Sequence, residues 1–150
     1  MTNPPKDANG HNYGVPEYQG KLSSNVVTIA EVLKKTGYST LISGKWHLRF
    51  FDKNQWPLQR GFDKFYGFIS GAGNYFKPEG PRFIFEGNNK IEINDEDYYT
   101  TDAFTDKAIE YIDGAKSENQ ENPFFLYLSY NAPHWPLQAP KEDIDKYRGK

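Results

Sequence analysis

The chain has 150 residues, with 18 Lys and Arg against 20 Asp and Glu and a formal net charge of −2. These charges are evenly mixed, which excludes the basic face of a nucleic-acid footprint, and no apolar stretch reaches the ~18 residues of a membrane span. Cysteine is absent, so neither a disulfide framework nor a thiolate metal site forms within the chain. Only 37% of residues are hydrophobic while 17% are aromatic, so burial rests on large rings that also suit sugar and ligand surfaces.

Residues 1–22 are rich in Pro, Gly, Asn and Asp and read as irregular loop, without the hydrophobic core of a signal peptide. His11 lies there, has no partner at a telling spacing, and is read as a surface residue. Thr28-Ile29-Ala30-Glu31 spells a capping box, so a helix opens there and runs through Val32, Leu33 and Lys35 to Gly37. Residues 39–43 follow as a short strand. Helix, glycine turn and apolar strand make half of a βαβ crossover, which predicts a parallel sheet.

That strand ends in Gly44-Lys45-Trp46-His47-Leu48. If the backbone stays extended, alternation puts Lys45 and His47 on one side and sends Trp46 into packing. An ammonium beside an imidazole cradles a tetrahedral oxyanion: one supplies charge, the other moves a proton near neutral pH. The plainer reading is a surface Lys and a His bonded to backbone.

From residue 48 to 81 no period dominates, and Pro and Gly punctuate a long aromatic segment. A connection this long is functional or ordered by its own contacts. Arg60 and Asp63 are expected to pair with each other and brace it. Asn74, Tyr75 and Phe76 are read either as a pocket rim or as cover over the core. Phe83-Ile84-Phe85 and Ile91-Glu92-Ile93 flank Gly87-Asn88-Asn89 and predict a small β-hairpin. Asp95, Glu96 and Asp97 resemble a metal cluster, but acids ahead of a helix favour its N-terminus, and no further ligand completes a hard-cation shell.

Thr101 is expected to cap a second helix that places Phe104, Ala108, Ile109 and Ile112 on one face. Residues 114–122 read as a polar loop. Residues 124–130 are too continuously apolar for a half-exposed sheet and predict a buried strand. It runs into Asn131-Ala132-Pro133-His134-Trp135-Pro136, where prolines stiffen the backbone on both sides of His134. The alternative for His134 is a structural ring stacked on Trp135. Residues 141–150 are charged and read as a short surface helix. Two apolar strands each ending in a His-bearing loop suggest one anion-handling site at strand ends. No P-loop, G-x-S-x-G or H-E-x-x-H motif competes with it.

The residues from Thr28 to Thr40, leading into Gly44-Lys45-Trp46-His47-Leu48, resemble the second signature region of type I sulfatases of the alkaline-phosphatase superfamily. Arg60-Gly61-Phe62-Asp63-Lys64-Phe65-Tyr66-Gly67 resembles the segment that follows in that family. Tyr99-Thr100-Thr101-Asp102-Ala103-Phe104, Pro123-Phe124-Phe125-Leu126-Tyr127-Leu128 and Ala132-Pro133-His134 resemble its later helix and strand. The ordered series covers essentially the whole chain.

The resemblance implies an α/β fold, part of an alkaline-phosphatase-like parallel-sheet sandwich flanked by helices, with an inserted loop and β-hairpin. It implies hydrolysis of a sulfate ester through a formylglycine nucleophile on a bound calcium. Lys45 matches the lysine that binds a sulfate oxygen, and His47 the histidine that bonds the formylglycine hydroxyl. His134 matches the histidine that contacts sulfate near the leaving oxygen. Lys45, His134 and Asn74 are the expected substrate contacts, and no metal ligand is expected among residues 1–150.

The chain departs from the family pattern in lacking both Cys and a Ser-x-Pro-x-Arg motif. Residues 1–150 are therefore expected to be the central part of a catalytic domain, with formylglycine and the calcium ligands outside them. On that reading the isolated chain is inactive. The expected partner is a sulfated small molecule or glycan, not nucleic acid or membrane, and the family suggests a periplasmic or secreted setting. Two other readings remain: a phosphonate monoester or phosphodiester hydrolase of the same superfamily, and a non-catalytic, glycan-binding remnant.

Overall fold

The computed structural model describes residues 20–48, 50–80, 82–118 and 123–150. Its elements, in chain order, are α1 (Ile29–Lys34), β1 (Ser39–Lys45), β2 (Lys64–Phe68), β3 (Ile84–Glu86), β4 (Asn89–Ile91), α2 (Thr100–Glu118), β5 (Phe124–Ser129) and α3 (Lys141–Asp145). The five strands form one sheet in the order β4-β3-β2-β1-β5. β1 pairs in parallel with both β2 and β5, while β3 and β4 add an antiparallel edge.

Side-chain alternation along the strands builds two cores, one on each face of the sheet. Leu41, Tyr66, Phe68 and Leu126 point to the face covered by α2, meeting Phe104, Tyr111 and Ala115. Ile42, Phe65 and Phe125 point to the other, meeting Ala30 of α1 and Phe62. The sheet is thus sandwiched between helices, as expected of an α/β fold.

The predicted start of α1 holds in detail. Thr28 Oγ1 accepts from the Glu31 amide at 3.0 Å, and Glu31 Oε2 accepts from the Thr28 amide at 2.7 Å. The expected Arg60–Asp63 pair does not form. Arg60 is buried and donates to Glu31 at 2.9 Å, to Gln55 at 3.2 Å and to the Val26 carbonyl at 2.8 Å. Asp63 instead meets Lys34 at 2.6 Å and accepts from the Thr40 amide and hydroxyl. Both carboxylates therefore tie α1 and β1 to the loop, a long-range pairing that sequence neighbours concealed.

Other differences follow from packing. β2 emerges from a segment with no clear period, because tertiary burial of Phe65, Tyr66 and Phe68 overrides the local signal. The hairpin is present, but its second strand begins at Asn89, so Glu92 and Ile93 lie beyond it. The second helix starts at Thr100 and continues through Gly114 to Glu118. Ala115, buried against the sheet, carries it past the glycine. β5 is half-exposed rather than buried, because β1 is its only partner strand among the described residues. His11 lies outside the described residues.

Candidate functional site

β1 and β5 are adjacent and parallel, so the loops after both emerge at the same end of the sheet. Chain order reverses there, with β2 on one side of β1 and β5 on the other, and such switch points open a crevice beyond the strand ends. Close approach of the three strands is possible because Gly44 aligns with both Gly67 and Ser129. A Cβ on Gly44, whose φ is +124°, would lie 1.9 Å from the Ser129 carbonyl oxygen. Ser129 Oγ donates to the Lys45 carbonyl at 2.7 Å, closing the seam.

Pairing with β2 persists past Lys45: the amides of Trp46 and His47 donate to the carbonyls of Phe68 and Ile69 at 2.8 and 3.1 Å. Trp46 packs edge-on against Phe62, as expected of an inward side chain, and its indole donates to the Gln55 carbonyl. His47 departs from the extended form assumed from sequence. Its φ is +63°, a left-handed conformation that costs a non-glycine residue about 1–2 kcal/mol. The turn carries the ring over Gly71, where a Cβ would lie 2.2 Å from His47 Nε2. Such outliers gather at functional sites.

His134 follows β5 and is held by its own loop. Its amide donates to the Asn131 carbonyl at 3.0 Å, and Nδ1 lies 2.5 Å from the Trp135 carbonyl oxygen. Nδ1 therefore carries the proton, which leaves Nε2 for a ligand. Its loop is moored to residues 73–75. Tyr75 donates its hydroxyl to the His134 carbonyl at 2.8 Å, buried Asn131 donates to the Gly73 carbonyl at 3.0 Å, and Gln138 accepts from the Tyr75 amide at 2.9 Å.

His47 and His134 line one cavity of about 520 Å³ with Phe50, Phe51, Ser70, Gly71, Ala72 and Arg82. Partial burial lowers the His47 pKa below the usual histidine value, and the charges of Lys45, His134 and Arg82 lower it further. At neutral pH its imidazole is therefore uncharged and can accept a proton. The positive charges of Lys45 and Arg82 make the surroundings favourable to an anion.

Asn74 does not join this cavity. It is exposed, and its Oδ1 accepts from the amides of Phe76 and Lys77 at 2.9 and 2.8 Å, capping the loop. Gly71, Phe50, Phe51 and Arg82 were not singled out in the sequence. No local spacing marks them, since they converge only when β2 and the residues ahead of β3 come together.

The resemblance implies calcium and formylglycine, and the residues present can be tested against both. Among the described residues no group of three His, Asp or Glu side chains could hold a metal ion, and the chain has no Cys. The cavity's charged groups are cationic. They fit an anion rather than calcium.

An α/β sheet with a histidine-lined crevice at its carboxyl edge is thus the class that fold and site define. Comparison narrows it: residues 5–150 match the family model Sulfatase. The chain is 34% identical over 149 residues to an uncharacterized sulfatase of Schizosaccharomyces pombe, covering 91% of this chain and 26% of the relative. It is 33% identical over 144 residues to an arylsulfatase of Klebsiella aerogenes, covering 91% of this chain and 30% of that one. Among solved structures it resembles Ps i-CgsB in complex with k-i-k-neocarrahexaose, with a TM-score of 0.67 and 32% identity over 84% of this chain and 32% of that chain. It also resembles a protein solved with its substrate D-glucosamine-2-N,6-O-disulfate, with a TM-score of 0.56 and 25% identity over 77% of this chain and 20% of that one. The chain belongs to the sulfatase family. It spans about a fifth to a third of the length of the curated and solved relatives described above.

Proposed function

We propose that the protein of which this chain is part hydrolyses sulfate esters, with a sulfated glycan as its substrate class. The observation that carries the reading is the convergence of two histidines on one cavity beside Lys45, with no carboxylate among its lining residues. The family match supports the reaction class, and the carbohydrate-bound relatives support a sugar as the alcohol.

Each residue of this chain has a definable task in that reaction. Lys45 binds a non-bridging sulfate oxygen and offsets its charge. His134, with Nδ1 tied to the Trp135 carbonyl, acts in its doubly protonated form: Nε2–H faces the bridging oxygen and gives up its proton as the sulfur–oxygen bond breaks, leaving the neutral ring with Nδ1–H. His47, uncharged at neutral pH, can accept the proton that the attacking hydroxyl loses as the new bond to sulfur forms. Formylglycine and calcium belong to polypeptide outside residues 1–150, so the isolated chain has no turnover.

The test is sulfate release by the full-length protein from 4-nitrophenyl sulfate and from sulfated oligosaccharides, before and after Lys45→Ala and His134→Ala. Each substitution is expected to lower kcat/KM by about 10²- to 10⁴-fold, the usual reach of a positioned acid or base. Unchanged turnover in both variants, or faster cleavage of an aryl phosphodiester than of the sulfate, overturns the reading. Glycan binding that survives both substitutions without turnover would make the protein a binding module.

A further inference from the structure

The cavity is much larger than a sulfate group. At about 520 Å³ it falls within the range that encloses whole small ligands. Beyond the two histidines its large side chains are Phe50, Phe51 and Arg82, set beside the small residues Ser70, Gly71 and Ala72. Phe51 is 95% exposed, and its free face suits the apolar side of a sugar ring.

Arg82 is the unusual member of this wall. Its amide donates to the Glu79 carbonyl at 3.3 Å, while among the described residues its guanidinium has no ion pair or hydrogen bond. Arg60 shows the contrast: it is buried, fully engaged and structural. Arg82 is exposed at the cavity, and its charge reaches the His47 ring. A planar fork of donors beside an aromatic wall is shaped for a carboxylate or sulfate.

We propose that Arg82 forms a second anion subsite, which takes an acidic group on the alcohol portion of the substrate. Resting on the sulfatase reading, this narrows the substrate class to esters that carry a further sulfate or carboxylate, as acidic glycans do. Lys45, His47 and His134 handle the ester that is cleaved; Arg82 selects what it is attached to.

The subsite can be tested without turnover, because a sulfonate carries the same anion on a carbon–sulfur bond that hydrolysis does not break. Binding of benzenesulfonate and of 1,3- and 1,4-benzenedisulfonate to the full-length protein is measured by calorimetry at fixed ionic strength. At least one disulfonate is expected to bind about tenfold more tightly than the monosulfonate, the scale of one charge-assisted hydrogen bond. Arg82→Ala should bring that ratio close to one, and Arg82→Lys should keep part of it. A wild-type protein without the preference, or a preference that survives Arg82→Ala, overturns the proposal. So does equal weakening of all three ligands, which would put Arg82 on the first anion. Failure to cleave 4-nitrophenyl sulfate would instead count against the hydrolase reading and leaves these binding ratios measurable.

Discussion

Tyr75 and His134 are 59 positions apart, yet the Tyr75 hydroxyl donates to the His134 carbonyl oxygen at 2.8 Å. The tyrosine is almost completely buried, while His134 is exposed at the cavity. A rigid, enclosed ring therefore positions a solvent-facing loop. Tyr75→Phe keeps the ring's packing and releases the loop. Stability should fall by only about 1 kcal/mol, the net worth of one hydrogen bond. The kcat of the full-length protein should fall about tenfold or more, because small displacements of a reacting group are costly. Urea unfolding and steady-state kinetics on the same variant separate the two effects. A purely structural Tyr75 would move the first and spare the second.

Gly71 sets how closely the backbone approaches the His47 ring. A methyl group there would collide with the His47 ring, which is the mobile end of a side chain and can swing away. Gly71→Ala should accordingly leave the unfolding midpoint nearly unchanged and reduce kcat/KM about a hundredfold. Equal losses in stability and activity would show that the backbone, not the ring, had yielded.

His47 combines strain with a shifted equilibrium. Its left-handed backbone suits glycine, so His47→Gly should be more stable than His47→Ala by about 1 kcal/mol. The ring titrates below the usual histidine value, first because of partial burial and then because of Lys45, His134 and Arg82. Removing a neighbouring positive charge eases protonation, so Lys45→Met should move the His47 titration upward toward the ordinary value. NMR titration of the imidazole reads this without turnover. A downward shift in Lys45→Met would contradict the arrangement.

Acid sensitivity of the fold should centre on α1. The Arg60 hydrogen bond, joined by that from the Thr28 amide, holds the Glu31 carboxyl below its usual range against partial burial. A carboxyl whose folded pKa is lowered contributes stability above its unfolded pKa and loses it as pH falls through the folded value. Stability should thus decline from about pH 5 downward, and Arg60→Met should flatten part of that slope. It should also cost about 2–3 kcal/mol at neutral pH, since a charged, hydrogen-bonded group is removed from a buried position. Unfolding curves across the acid range decide this. A slope unaffected by Arg60→Met would assign the acid response elsewhere, with Asp63 next in line through Lys34 and Thr40.

The amino-acid sequence alone determined those features that rest on near neighbours. The capping box at Thr28 and Glu31 needs four residues, and the β1 apolar run with its Gly44-Lys45-Trp46-His47 exit needs nine. Even the pairing of the two His-bearing loops was legible, since each follows an apolar strand and such strands pack side by side. β2 was not legible, because its burial comes from helices and strands distant in sequence. Asn74 was singled out for its residue type, but only its folded loop shows that its oxygen is already used.

Tertiary structure alone decided what surrounds the histidines. Arg60 and Asp63 are three residues apart and avoid each other because better partners arrive from α1 and β1. Gly71, Tyr75 and Arg82 reach the site through sheet pairing that no short window of sequence encodes. The physical reason is the same throughout. Caps and strand runs are set by local backbone chemistry, whereas a cavity is the space left between elements after they pack.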